Sequence, residues 1–95
     1  MPPEHGARIE LKFVNVEPGS VRYAIALKAK GSAWSGSASI DLGGGAIEFI
    51  GLESGPPTWL LDLVRALLRT VYRNHHGDGS WPRRLTRWRP EPSSR

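Results

Sequence analysis

Residues 56–74 read PPTWLLDLVRALLRTVYRN, and their aliphatic side chains recur every three or four positions. This spacing predicts an amphipathic α-helix with a wide apolar stripe. The stripe comprises Leu60, Leu63, Val64, Leu67, Leu68 and Val71. Pro56 and Pro57 suit a first helical turn, where no amide donor is required, and Asn74 and Gly77 are typical stop signals. Because a helix this apolar must bury its stripe, we expect a sheet beneath it.

Four shorter segments precede the predicted helix, and each alternates between apolar and polar residues. Such alternation is typical of strands with one buried face. The segments are residues 8–16, 21–29, 34–42 and 46–50. Tight turns join them, including Pro18-Gly19, which suits the centre of a type II turn. We therefore predict an α+β fold, in which a four-stranded antiparallel meander (ββββ) packs on one C-terminal amphipathic helix and a basic Trp/Arg arm follows.

Length and composition indicate one small domain, since the chain has 95 residues and no cysteine. We expect a loose N-terminal segment at 1–7, a ββββα domain at 8–74, and a connector and arm at 75–95. The lack of cysteine excludes a disulfide framework and cysteine-based zinc sites. No signal peptide and no apolar run of about 20 residues is visible, so we expect a cytoplasmic protein with no membrane partner.

The charge is distributed unevenly along the chain. Residues 1–64 hold five basic and seven acidic residues, whereas residues 65–95 hold eight arginines and two acidic residues. A net charge of +6 in the C-terminal third would steer an anionic partner toward it. Ten of the thirteen basic residues are arginine, and a general preference for arginine over lysine would also produce a strong basic signal there.

The C-terminal arm, residues 81–90, reads WPRRLTRWRP. As a helix it would place Trp81, Leu85 and Trp88 on one narrow stripe. As a strand it would segregate polar and apolar residues poorly, so the helical or irregular form is favoured. Two tryptophans on an arm indicate a contact, because they would otherwise expose a large apolar area. That contact is either with the domain itself or with another molecule.

The face of the sheet turned away from the helix is predicted to carry small residues. Its central positions are Ala24, Ala26, Ser35, Ser37 and Ser39. A smooth patch of this kind would let another layer approach closely, and three layers could do so: the arm, a second copy of the sheet, or a different protein. If the arm is the cover, its tryptophans lie on the patch and its arginines point outward. The alternative is a solvated surface that simply has small side chains.

The predicted helix also carries a basic row, because Arg65, Arg69 and Arg73 repeat every four residues beside Asp62. The row is either a solvated face with one ion pair or a surface for phosphates and carboxylates, to which the arginine fork binds well.

Catalysis finds little support in the sequence. His75, His76 and Asp78 resemble a fragment of a metal site, but adjacent histidines diverge and no further nearby ligand is available. The glycines at 43–45 lack the Lys-Ser/Thr of a phosphate-binding loop, and no serine stands in a nucleophile-elbow pattern. We therefore expect no catalytic residue, no metal and no cofactor.

Two functional hypotheses follow. The first is a non-enzymatic protein-interaction module, such as an adaptor, an inhibitor or an oligomer subunit, that binds another protein or a second copy of itself. Its predicted binding residues are Ala24, Ala26, Ser35, Ser37, Ser39, Trp81 and Trp88. The alternative is a single-stranded nucleic-acid-binding protein, whose element order resembles that of the Whirly single-strand-binding fold. Its predicted binding residues are Arg65, Arg69, Arg73, Arg83, Arg84, Arg87 and Arg89.

Overall fold

The architecture is a five-stranded antiparallel sheet with one helix, seen in a computed structural model that describes residues 6–29, 31–52 and 54–90. The elements are β1 (Gly6–Glu17), β2 (Ser20–Ala29), β3 (Ser32–Asp41), β4 (Ile47–Ile50), α1 (Thr58–His75) and β5 (Arg84–Pro90). The strand order across the sheet is β4-β3-β2-β1-β5. The α+β class and the antiparallel meander are confirmed, but the sheet has five strands where four were predicted.

The additional strand comes from the C-terminal arm. β5 pairs antiparallel with β1, with Leu85 opposite Leu11. The helical interpretation of residues 81–90 is therefore wrong. The meander leaves one side of β1 without a partner, and pairing with β5 satisfies the backbone groups there. An edge strand can carry polar and apolar side chains on the same face, because both of its faces remain partly exposed.

The core lies between α1 and the face of the sheet that we call the inner face. Alternate residues of β2 provide its centre, namely Val21, Tyr23, Ile25 and Leu27. From α1 the buried residues are Leu60, Val64, Leu68 and Val71. Leu63 and Leu67, also predicted to be in the stripe, are only half-buried, at the side of α1 that faces β5. The opposite face of the sheet is called the outer face below.

Two glycines have structural roles, one in the predicted turn between β1 and β2 and one inside β3. Gly19 has a φ of 87°, as the second central residue of the Pro18-Gly19 turn requires. Gly36, on the inner face of β3, lies against the chain that leaves β4, and a Cβ at this position would stand 2.6 Å from the Ile50 carbonyl oxygen. β1 begins at Gly6, so it includes the last two residues of the segment 1–7 that was expected to be loose. Residues 1–5 and 91–95 lie outside the described ranges.

The entry to β5 is held by Tyr23. Its hydroxyl donates a hydrogen bond of 2.7 Å to the carbonyl oxygen of Pro82. Its ring meets Phe13 edge-on, with 5.9 Å between centroids, and the amide of Phe13 donates to the Arg83 carbonyl at 2.8 Å. Trp81 packs against the core just before this point. The segment between α1 and β5 is therefore tied to the middle of the sheet.

Tyr23 should give the protein a specific sensitivity to alkali. Burial raises the pKa of Tyr23 to about 12, from an ordinary value of 10.0. The folded state keeps this phenol neutral while the unfolded chain ionises it, so its contribution to stability is complete below pH 10 and is lost as the pH rises toward 12. We expect the urea midpoint of the wild type to fall over this range relative to that of Tyr23→Phe.

At neutral pH the same substitution should lower the free energy of unfolding by about 1 kcal/mol, because one buried hydrogen bond is lost. Tyr72→Phe, which removes the hydroxyl of a half-buried tyrosine, is the matched control and should keep the alkaline loss due to Tyr23. A Tyr23→Phe variant with the same alkaline profile as the wild type would contradict this account.

Candidate interaction surface

The outer face brings the five predicted small residues together. Ala24 of β2 lies between Ser37 of β3 and Lys12 of β1, and in the next row Ala26 lies between Ser35 and Glu10. Ser39 completes the patch beside Arg22. Because α1 packs on the inner face, no element of the described ranges covers this patch, and the arm does not do so either. The possibility that both tryptophans of the arm lie on it is therefore excluded.

The cations of this face lie mainly on the side of β1 and β5. Arg84 is directly opposite Lys12 across the β1–β5 ladder, so two like charges are neighbours. Lys12, Lys28 and Arg84 have no carboxylate within ion-pair distance among the described residues. By contrast, the guanidinium of Arg8 stands 3.6 Å from Glu10. The surface therefore retains unneutralised positive charge along one border.

The opposite border is acidic. Glu48 of β4 projects beside Ser39, and Asp41 lies at the end of β3. Both are exposed, and neither forms an ion pair among the described residues. The outer face thus has a smooth centre, a basic border at β1 and β5, and an acidic corner at β3 and β4.

Trp88 lies on this face, whereas Trp81 does not. The indole of Trp88 rests against Gly6, is 38% exposed, and forms one wall of a shallow cavity of about 530 Å³. Lys28 and Ala33 line the same cavity. Trp81 packs instead against the core. The structure therefore brings six of the seven predicted protein-binding residues onto one surface.

The arginines of α1 do not form a common surface with those of β5. Arg65 lies over the ring of Phe49 in β4, 5.1 Å from its centroid, and its Nη1 is 3.3 Å from Asp62. Arg73 donates to the Thr70 hydroxyl at 3.4 Å. Arg69 is exposed. The Asp62–Arg65 pair is the arrangement expected if the row is a solvated face with one ion pair.

The arginines of the C-terminal segment are themselves divided between two faces. Arg84 belongs to the outer face, while Arg87 and Arg89 point to the opposite side, where they line a groove between β5 and α1. Arg83 is exposed just before β5. The seven arginines proposed for nucleic-acid binding are therefore spread over several surfaces.

The connector after α1 forms a self-contained turn. Asp78 accepts hydrogen bonds from the hydroxyl and the amide of Ser80, at 2.7 and 3.0 Å, and these bonds lower the pKa of Asp78. His75 Nδ1 lies 3.3 Å from the Ser80 hydroxyl, while His76 stacks on Tyr72. The two histidines have different neighbours, and the described residues contain no cluster of three metal-ligating side chains.

Two features could not be predicted from the sequence, one on the outer face and one beside β5. The juxtaposition of Lys12 and Arg84 depends on the register between β1 and β5, for which the sequence carries no signal. The groove beside β5 has only a weak signal in the sequence, namely the position of Leu63 and Leu67 at the border of the apolar stripe. In the structure both side chains line the groove and are only half-buried.

Comparison with protein-family models, with curated proteins and with solved structures found no match to this chain. No helix in the described ranges combines the length and the apolarity needed to cross a lipid bilayer.

Arg84→Glu should stabilise the isolated protein. The substitution replaces a like-charge neighbour of Lys12 with an opposite charge, and cross-strand pairs of this kind contribute about 0.2–1 kcal/mol. Urea unfolding at low ionic strength should show a higher midpoint than for the wild type. The control is Arg83→Glu, which makes the same charge change at an exposed position before the strand. An equal increase in both variants would show that the total charge, not the Lys12–Arg84 pair, is responsible.

Proposed function

We propose that this chain is a non-enzymatic protein-interaction module that binds through its outer face, and that the partner this face fits best is a second copy of the chain. The observation that supports this is the uncovered face itself, with small residues in the centre and charges of opposite sign at opposite borders.

Small side chains favour contact with another sheet. Two sheets pack face to face at about 10 Å, and long polar side chains at the centre would hold them farther apart. Ala24 and Ala26 present only methyl groups there, and the neighbouring serines offer hydroxyls that can hydrogen-bond across the interface. The centre of the outer face can therefore be buried with little desolvation cost.

The distribution of charge makes the face complementary to itself. A two-fold axis parallel to the strands would place the β1–β5 border of one copy over the β3–β4 border of the other, so Lys12 and Arg84 would approach Glu48 of the second copy. Trp88 would contribute an aromatic side chain at the rim. Five strands spaced about 4.8 Å apart and paired over about 25 Å of their length give an area of about 600 Å² per copy. This area is near the lower limit for specific interfaces.

Light scattering on the full chain tests this proposal. The wild type should have a mass of twice 10.5 kDa. Ser37→Arg should reduce the mass to that of one chain, because a long cation would stand at the centre of the interface. Ser54→Arg, at an exposed loop position, is the matched control and should remain dimeric. Circular dichroism should show both variants folded.

A wild-type chain that stays at 10.5 kDa at the highest attainable concentration would contradict self-association. Equal dissociation of both serine variants would show that the interface lies elsewhere.

Single-stranded nucleic acid is a second candidate, favoured by Trp88 and Lys28, which line one cavity on a face where Lys12 and Arg84 have no carboxylate partner among the described residues. A base could stack on the indole while the cations contact phosphates. Labelled oligonucleotides should then bind at low salt, and the affinity should fall steeply as salt is raised. Trp88→Ala should reduce the affinity by about 1–3 kcal/mol. Absence of binding at low salt would contradict this function.

A further inference from the structure

β5 is an edge strand, and one row of its backbone groups has no strand beside it among the described residues. Since the Phe13 amide donates to the Arg83 carbonyl, alternate residues from Arg83 onward exchange hydrogen bonds with β1. The residues of β5 whose backbone faces β1 are Leu85, Arg87 and Arg89. Those whose backbone points to the free edge are Arg84, Thr86 and Trp88. Within the described residues, this edge has no neighbouring strand.

A groove of about 290 Å³ runs beside this edge, between β5 and α1. Leu63, Ala66 and Leu67 of α1 form its apolar side, and Ile9 of β1 forms its floor. Leu63 and Leu67 are only half-buried, so apolar surface is available next to the edge of β5. An edge strand beside a helix is the arrangement in which an extended peptide can add to a sheet while its side chains enter a groove.

Arg87 and Arg89 give this groove its charge. Neither arginine has a carboxylate partner among the described residues. Instead, Nη1 of Arg87 donates to the Thr86 carbonyl at 2.9 Å, and Nη1 of Arg89 donates to the Trp88 carbonyl at 3.0 Å. These carbonyls lie at the free edge, where the amides of an added strand would bind. An incoming strand would thus take over the carbonyls and release both guanidinium groups for its own carboxylates.

The same charges exclude a second copy of β5 as the occupant, because edge-to-edge pairing would bring two arginine-rich strands together. We propose that the free edge of β5 binds an extended acidic peptide segment of another protein, which adds as a sixth strand and places carboxylates against Arg87 and Arg89. This inference is independent of the proposed function, because the edge and the groove remain open when the outer face is covered.

The probe is a seven-residue peptide, the length of β5, in which Glu and Val take turns at the positions that face α1 and Thr fills the positions between them. In fluorescence anisotropy at low ionic strength it should bind the full chain, and the amide NMR signals of Arg84, Thr86 and Trp88 should shift. Arg87→Glu and Arg89→Glu should each weaken binding about tenfold, the loss of one charge-assisted contact. Arg69→Glu, an equal charge change on the exposed side of α1, should have little effect.

A second peptide, N-methylated at alternate positions so that it cannot donate to the edge carbonyls, separates strand addition from charge attraction. It should bind at least tenfold more weakly than the parent peptide. Equal binding of the methylated peptide, an equal loss with Arg69→Glu, or no binding of the parent peptide at low salt would each overturn the proposal. Ser37→Arg should leave peptide binding unchanged, so failure of the outer-face proposal can be distinguished from failure of this one.

Discussion

The hydroxyl of Tyr23 is the group on which the arrangement of the C-terminal third depends. The side chain is fully buried in the middle strand of the sheet. A buried hydroxyl without a partner would cost about 1–3 kcal/mol, and the Pro82 carbonyl meets this requirement. The bond joins residues 59 positions apart in the chain and fixes where the segment after α1 returns to the sheet. From that point β5 pairs antiparallel with β1 in a defined register.

This return of the chain determines which surfaces are available. Because residues 84–90 pair with the edge of β1, they do not lie over the outer face, and the small residues at its centre stay uncovered. Pairing also separates the arginines of the segment, with Arg84 on the outer face and Arg87 and Arg89 on the side of α1. One basic stretch of sequence therefore contributes to two distinct surfaces with different geometry.

The parts of the structure set by local periodicity could be predicted, and those set by distant contacts could not. The alternation of Val21, Tyr23, Ile25 and Leu27 is enough to identify a strand and its buried face, and the same parity places Ser35, Ser37 and Ser39 together on the other face. For the arm, the local pattern was misleading. Leu85 becomes part of the sheet only because β1 has a free edge. Trp81 packs against the core, so it does not share the outer face with Trp88. Neither condition is contained in residues 81–90.

The central claim is that the C-terminal segment completes the sheet by pairing with β1. Residue-specific hydrogen exchange of the full chain, followed by NMR, tests it most directly. The account predicts an alternation in β5, with slow exchange at the amides of Leu85, Arg87 and Arg89 and faster exchange at those of Thr86 and Trp88. Exchange of all five amides at the rate of an unstructured peptide would contradict it.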